Sequence, residues 1–142
     1  MTIRTLLGDT HREVICAART DSVGQVVTLL AERRIGCVPV VEGGKVLGIF
    51  SERDVLYGLA REGAALLDRP VESVMTSPAV TITLETPIIS ALSLMTTRRI
   101  RHLPVMEGGR MGAFVSIGDL VKYRMDRIES EAEAMRSYIQ SA

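Results

Sequence analysis

Hydrophobic positions along the chain follow two spacings, one typical of short strands and one typical of helices. The runs "VICAA" (14–18) and "AVTIT" (79–83) are rich in strand-forming residues. Apolar residues at helical spacing follow each run, namely Val23, Val26, Val27 and Leu30, and later Ile88, Ala91, Leu92 and Met95. Both helical patterns end in an arginine pair, which suits the negative end of a helix dipole. We therefore predict a strand followed by a helix, twice.

A hairpin and a second helix complete each unit. The segments "CVPVVEGGKVLGIF" (37–50) and "HLPVMEGGRMGAFV" (102–115) predict two strands joined by a Gly-Gly turn, because glycine tolerates the positive φ of a tight hairpin. The second helix opens at "SERD" (51–54) and at "SIGD" (116–119). The predicted fold class is α/β, with a β-α-β-β-α unit written in tandem.

The two units are copies of each other. A shift of 65 residues aligns 22–56 with 87–121 without a gap, and 11 of these 35 positions are identical. Neither copy is long enough to bury a sufficient core alone, so we expect the copies to pack face to face about a pseudo-two-fold axis. We predict repeats at 1–65 and 66–125 and a C-terminal helical extension at 126–142.

Composition and charge narrow the functional class. Hydrophobic residues make up 46% of the chain, and Lys plus Arg equals Asp plus Glu at 17 each. This balance provides no overall field for nucleic acid, and no apolar run is long enough to span a bilayer. Together with the lack of a secretory signal pattern, this leads us to expect a soluble cytoplasmic protein with no nucleic-acid or membrane partner.

The residues that most often carry chemistry are few. Cys16 and Cys37 lie in apolar runs, and we interpret both as small buried hydrophobes rather than as a disulfide or metal pair. The sequence has two histidines and no catalytic or phosphate-binding loop motif. We therefore predict neither an enzyme nor a metal site.

The duplicated motifs resemble those of the CBS domain pair, also called the Bateman module. The likeness rests on the repeated P-V-x-E-G-G hairpin, on "VMTSPAVTI" (74–82) and on "GIFSERD" (48–54), which follows the family pattern G-h-x-[ST]-x-x-D. The second copy departs at its first position, where Ala113 stands for glycine. The resemblance covers nearly the whole chain and implies a free-standing single pair.

The resemblance also implies binding residues. Asp54 and Asp119 would accept hydrogen bonds from ribose hydroxyls, and Ser51 and Ser116 would lie near ribose or phosphate. The alternative is a purely structural role, in which each Ser-x-x-Asp motif only caps its helix. Helix capping and ligand binding are compatible. We interpret Arg53, inside the first motif, and Lys122, just after the second, as ordinary exposed helix residues; the alternative is that they touch ligand phosphates.

The two copies differ just before their hairpins. Arg101 and His102, next to Leu103, would face ligand phosphates, because arginine offers planar donors and histidine a donor whose charge depends on pH. The matching positions in the first copy are Gly36 and Cys37, which offer no charge. We therefore expect one cleft to favour phosphate and the other to be empty or to take a less charged part of a ligand. The alternative is a solvated Arg101 and a half-buried His102.

Further polar residues stand where each strand joins its helix. In the resembled family such residues help to fix the nucleoside, so Thr20 and Thr83 join the candidate ligand-binding residues. The alternative for both, and for neighbouring Asp21 and Thr86, is that they cap the helix that follows.

The leading functional hypothesis is a regulatory sensor. It would bind an adenosine-containing nucleotide (AMP, ADP, ATP, NAD or S-adenosylmethionine) between the repeats and modulate a partner protein, with no other cofactor. The alternative is a ligand-independent dimerisation or interaction scaffold whose clefts are filled by its own side chains. A thiol sensor at Cys37 is a third reading.

The C-terminal segment carries apolar residues at coiled-coil spacing. They are Val121, Met125, Ile128, Ala132, Met135 and Ile139. Because family members dimerise into a disc through helices of both repeats, we predict a homodimer with this helix packed near the interface. A free coiled coil is the alternative.

Overall fold

The computed structural model describes residues 1–9 and 13–141. The helices are α1 (Ile3–Leu7), α2 (Val23–Arg33), α3 (Glu52–Glu62), α4 (Ile88–Arg98) and α5 (Ile117–Ser141). The strands are β1 (Cys37–Glu42), β2 (Lys45–Ser51), β3 (Ile82–Thr83), β4 (His102–Glu107) and β5 (Arg110–Ser116). Two short 3-10 helices, Gly63–Asp68 and Val71–Ser73, lie between the repeats.

The first helix of each repeat forms where the apolar spacing predicts it. α2 buries Val23, Val26 and Leu30, and its N-terminus is closed by a reciprocal pair of hydrogen bonds between Ser22 and Gln25. Ser22 is therefore the N-cap of α2. Asp21 and Thr86, which were also candidates for capping a helix, instead close turns that precede the helices. The Asp21 carboxylate accepts from the Ala18 amide, and the Thr86 hydroxyl accepts from the Thr83 amide.

Both hairpins form as predicted. The turn glycines adopt positive φ, at 58° and 81° for Gly43 and Gly44 and at 58° and 78° for Gly108 and Gly109. β1 pairs antiparallel with β2, and β4 pairs antiparallel with β5, with a register shift at the same place in each copy. The two hairpins thus share even this irregularity.

The strands predicted before the first helix of each repeat, at 14–18 and 79–83, are much shorter in the structure than predicted. Residues 14–18 contribute only one parallel bridge, from Ala17 to Val40, and 79–83 shrink to the two-residue strand β3, parallel to β4. A single partner strand supports only a short parallel contact, and the rest of each run lies on irregular backbone.

Two hydrophobic cores form, and the chain crosses between them. Ile3 of α1 is fully buried with Ile88 and Leu103 in the second core, and the Ile3 amide donates to the Thr86 carbonyl. Leu66 and Val71, from the segment between the repeats, lie in the first core. The predicted boundary at 65/66 therefore does not separate the cores, because each repeat is completed by the segment that precedes the other.

The last helix runs without a break across the predicted boundary at 125/126. Its first turn is anchored by Leu120, which is fully buried in the second core. Within the described part of the chain, no helix combines the length and the apolar character needed to cross a membrane.

Candidate functional site

Two cavities open between the repeats. The first, here named the Arg101 cleft, measures about 570 Å³ and is lined by Gly36, Cys37, Ile49, Ser51, Glu52, Arg53, Asp54, Thr76, Pro78, Ala79, Val80, residues 98–102, Ser116 and Ile117. The second, named the Asp119 cleft, measures about 520 Å³, and its lining includes Arg4, Asp9, Glu13, Glu107 and Asp119. Both volumes fall within the range of small-molecule sites.

Arginines dominate the wall of the Arg101 cleft. Arg53, Arg98, Arg99 and Arg101 face two carboxylates, those of Glu52 and Asp54, which gives a formal charge of +2. The left-handed backbone of Arg99, with φ at 55°, ends α4 and turns the chain into β4, so that 98–101 stay on the cleft wall. The cleft therefore favours an anion.

One arginine of this wall also joins the repeats. The Arg53 guanidinium, from the first repeat, donates to the Arg99 carbonyl of the second at 3.3 Å. Arg53 is therefore an exposed helix residue, as predicted, that also lines the cleft. Its signal in the sequence was its place inside the Ser-x-x-Asp motif.

Asp54 stands half-buried at the edge of the Arg101 cleft. Its Oδ2 accepts from the Ser51 amide at 2.9 Å and the Ser51 hydroxyl at 3.3 Å, and its Oδ1 accepts from the Thr76 hydroxyl at 3.1 Å. The carboxylate is thus held as a cap and still faces an opening. Capping and ligand binding are compatible here, because a carboxylate has further lone pairs to offer.

Asp119 forms the equivalent cap in the other cleft. Its Oδ2 accepts from the Ser116 amide at 3.0 Å, and the Ser116 hydroxyl accepts from the Asp119 amide at 3.1 Å. The described residues of this cleft set one arginine against four carboxylates, a formal charge of −3. The formal charges of the two clefts, counted over their described lining residues, therefore have opposite signs.

The structure corrects how the candidates group. Arg101 lies in the cleft of Asp54 and Ser51, whereas Asp119 lines the other cleft. Gly36 was expected to line a different cleft from Arg101, but the two residues line the same cleft. In the first repeat the Glu52 amide donates to the Gly36 carbonyl, and in the second the Ile117 amide donates to the Arg101 carbonyl. Packing of the repeats against each other then brings both strand entrances to one opening.

Cys37 lies between the clefts and lines both. Its side chain is buried, and this burial raises the pKa of the Cys37 thiol to about 12, although the nearby Arg101 opposes the shift. A protonated buried thiol is a poor nucleophile, which argues against a thiol sensor. Cys16, expected to be buried, is exposed.

His102 also borders both clefts and is half-buried. Its ring stacks on Phe114 with centroids 5.3 Å apart and planes inclined by 16°. Burial, reinforced by the positive charge of Arg101, lowers the pKa of His102 below its usual 6.5, against the opposing charges of Asp119 and Glu52. His102 is therefore a neutral hydrogen-bonding group near neutral pH.

We expect His102 to make the fold less stable in acid. Below pH 6.5 the unfolded chain binds a proton that the folded chain resists, so the free energy of unfolding falls as the pH falls. Urea denaturation from about pH 7.5 to about pH 5.5 measures this, in a His11→Gln background that leaves His102 as the single histidine. Adding His102→Gln should flatten the dependence; an unchanged slope would contradict this.

Three candidates lie apart from the two clefts. Leu103 is fully buried in the second core, and Thr20 and Thr83 are exposed, so among the described residues none of the three lines either cavity. Conversely, Arg98, Arg99 and Thr76 line the Arg101 cleft although the sequence was not interpreted that way. The arginine pair was visible as a helix end, but its cleft position depends on packing between repeats.

Comparison with known proteins finds one family over most of the chain. The CBS domain family model matches residues 6–61 and 71–126. The CBS domain-containing protein CBSX3, mitochondrial, of Arabidopsis thaliana is 34% identical over 125 residues, which cover 84% of this chain and 61% of that relative. The chain thus spans less than two thirds of the length of this curated relative.

Solved structures have the same fold. The CBS-domain containing protein ATU1752 from Agrobacterium tumefaciens has a TM-score of 0.81 and 37% identity, covering 87% of this chain and 99% of that one. The CBS domain protein PAE2072 from Pyrobaculum aerophilum, solved in complex with AMP, has a TM-score of 0.72 and 26% identity, covering 84% of this chain and 89% of that one.

Proposed function

This chain belongs to the CBS domain family, and from that premise we propose that it is a regulatory module that binds an adenosine nucleotide in the Arg101 cleft. The observation that carries the proposal is the cationic wall of this cleft beside a capped carboxylate. A nucleoside monophosphate has the matching chemistry, because it has an anionic phosphate at one end and a sugar with free hydroxyls. Binding there would modulate a partner protein.

The phosphate would contact the arginine wall. Arg101 comes from the entrance of β4 and Arg98 from the end of α4, so two elements supply donors to one place. Guanidinium groups bind phosphate with paired, charge-assisted hydrogen bonds. The Asp119 cleft, with its excess of described carboxylates, is a poorer phosphate site.

The nucleoside would occupy the other side of the same cleft. The Asp54 carboxylate would accept from ribose hydroxyls while it keeps its bonds to Ser51 and Thr76. Apolar side chains suitable for contact with the faces of a base line the rest of the cavity; they include Ile49, Pro78, Ala79, Val80 and Ile100.

AMP is the first ligand to test. The cavity of about 570 Å³ fits the volume range of small-molecule sites, and the related PAE2072 was solved with AMP. ADP, ATP, NAD and S-adenosylmethionine carry the same adenosine and belong in the same panel. A guanine nucleotide tests the preference for adenine.

Regulation would follow from the contact between the repeats. The Arg53 guanidinium that holds the Arg99 carbonyl also lines the cleft, so a phosphate that draws Arg53 away changes how the repeats are tied together. A ligand shifts such an equilibrium only by its difference in affinity for the two arrangements. The regulatory role therefore requires that the two arrangements bind AMP unequally.

Titration calorimetry with this nucleotide panel tests the proposal on the full chain. We expect saturable binding of AMP and weaker binding of adenosine. The scaffold alternative predicts no binding by any member of the panel. Open clefts rather than clefts filled by side chains already weigh against that alternative. Mass spectrometry of small molecules released on denaturation provides an independent check.

A further inference from the structure

Glu52 is a carboxylate within the cationic wall of the Arg101 cleft. It is the first residue of α3, and its amide donates to the Gly36 carbonyl at 3.0 Å. The side chain folds back over Gly36, since a Cβ added to that glycine would lie 3.3 Å from the Glu52 Oε1 atom. The carboxylate therefore stands at the strand entrance of the first repeat, where the glycine leaves room for it.

The arginines of the cleft do not form an ion pair with this carboxylate. Among the described residues, no basic nitrogen lies within 4.0 Å of a Glu52 oxygen. The neighbouring Asp54 differs, because hydrogen bonds from Ser51 and Thr76 hold its carboxylate in place. Within the described chain, Glu52 thus presents an unpaired negative charge to a cavity that otherwise favours anions.

A purely structural role for Glu52 would be to stabilise the start of α3. An acidic residue in the first turn of a helix interacts favourably with the positive end of the helix dipole. The counterpart in the second repeat is Ile117, which opens α5 without a charge and lines the same cleft. A helix can therefore start at this position without an acid, and a structural role would leave the choice among ligands unchanged.

The two ends of the Arg101 cleft differ in composition. Asp54 and Thr76 mark the end assigned to the nucleoside. The opposite end is shared, because three of its residues also line the Asp119 cleft; they are Cys37, His102 and Ser116. Arg101 directly precedes His102 in the chain, so a phosphate held by Arg101 would lie at the shared end.

Glu52 acts on the same shared end. Burial is the main cause of the pKa shifts of the Cys37 thiol and the His102 imidazole, and the Glu52 charge raises the pKa of both groups. Arg101 lowers the pKa of both groups, so Arg101 and Glu52 act on the same two residues with opposite sign. A phosphate bound to Arg101 would therefore lie within the field of the Glu52 carboxylate.

We propose that Glu52 restricts the ligand of the Arg101 cleft to a single phosphate group. The inference rests on the proposed function, because it concerns the nucleotide bound in that same cleft. AMP carries about two negative charges near neutral pH, which match the formal charge of +2 that already includes Glu52. Each further phosphate adds negative charge that meets Glu52 rather than a free arginine. AMP should therefore bind more tightly than ADP, and ADP more tightly than ATP.

An isosteric substitution tests the proposal on the full chain. Glu52→Gln removes the charge and keeps the shape, and titration calorimetry measures AMP, ADP, ATP and adenosine in magnesium-free buffer, where no divalent cation masks the phosphates. The ratio of AMP to ATP affinity should fall by about threefold to tenfold, because an exposed charge contributes modestly and ATP carries more charge than AMP. Adenosine affinity should change by less than about twofold.

Glu32→Gln is the matched control. Glu32 is an exposed carboxylate of α2 outside the described lining of both clefts, so its removal changes the net charge equally and should leave the affinity ratio unchanged. Glu52→Asp keeps the charge and should keep the preference for AMP. A role in the helix dipole alone would change the free energy of unfolding in urea without moving the ratio. Circular dichroism checks the folding of every variant.

The outcomes separate this inference from the proposed function. If the parent binds AMP but Glu52→Gln leaves the AMP-to-ATP ratio unchanged, Glu52 does not set the number of phosphates and the inference is wrong. A parent chain that binds ATP as tightly as AMP would overturn it as well. If the parent binds neither nucleotide nor adenosine, the proposed function itself fails, and the inference fails with it.

Discussion

Replacing Arg101 by alanine should lower the affinity for AMP by about 10- to 100-fold and leave adenosine binding nearly unchanged. A charge-assisted hydrogen bond is worth about 1.5–3 kcal/mol, which corresponds to a change of that size in the dissociation constant. Arg101 lines the cleft whose formal charge is +2, whereas adenosine has no anion for it to bind. Titration calorimetry with both ligands measures the difference.

Two further variants make this result specific. Arg33→Ala removes the counterpart of Arg98 in the first repeat, a residue outside the lining of the described clefts, and should change neither affinity beyond about threefold. Arg101→Lys keeps the charge but not the paired donors and should fall between alanine and the parent. Equal losses for AMP and adenosine in Arg101→Ala would contradict the assignment of Arg101 to the phosphate.

Replacing Gly48 by alanine should destabilise the fold by about 1–3 kcal/mol and weaken AMP binding as well. A Cβ at Gly48 would lie 2.7 Å from the Met75 sulfur and 2.7 Å from the Thr76 carbonyl oxygen. The Thr76 backbone has little room to move, because it exchanges two hydrogen bonds of 2.9 Å with Ile49. Any shift of Thr76 also disturbs the hydroxyl that holds Asp54.

Gly118→Ala is the matched control for this prediction. It lies in the Ser-x-x-Asp motif of the second repeat, and its nearest atom to an added Cβ, the Ser116 hydroxyl oxygen, is 3.6 Å away. Glycine inside a helix lowers the stability of the protein by about 0.5–1 kcal/mol relative to alanine. The free energy of unfolding of this variant should therefore be unchanged or higher than that of the parent. Urea denaturation compares the two. A Gly48→Ala protein as stable as the parent would show that the close approach does not constrain this strand.

Features fixed by neighbouring residues in the chain were predictable from the sequence. The hairpins follow from their glycine pairs and the first helices from apolar spacing. The departure of Ala113 from the family motif has a different origin, which is packing with a distant segment. Ala113 stands at the counterpart of Gly48, and only the first repeat has Met75 and the Thr76 carbonyl pressed against that position, so the second repeat accommodates a Cβ where the first does not.

Features fixed by packing between the repeats were not predictable. Nothing in the sequence near Ile3 indicates that α1 completes the core of the other repeat. The grouping of the site depends on the same packing, which brings Gly36 and Arg101 to one opening and leaves Asp119 in the other cleft. The residue types were visible, but a single repeat does not determine which cleft each one faces.

A crystal structure of the full chain with AMP tests the central claim most directly. The account predicts the phosphate within hydrogen-bonding distance of the Arg101 guanidinium and the ribose hydroxyls against the Asp54 carboxylate. The Asp119 cleft should take no phosphate. AMP bound with its phosphate in the Asp119 cleft, or crystals grown with saturating AMP that show none in either cleft, would contradict it.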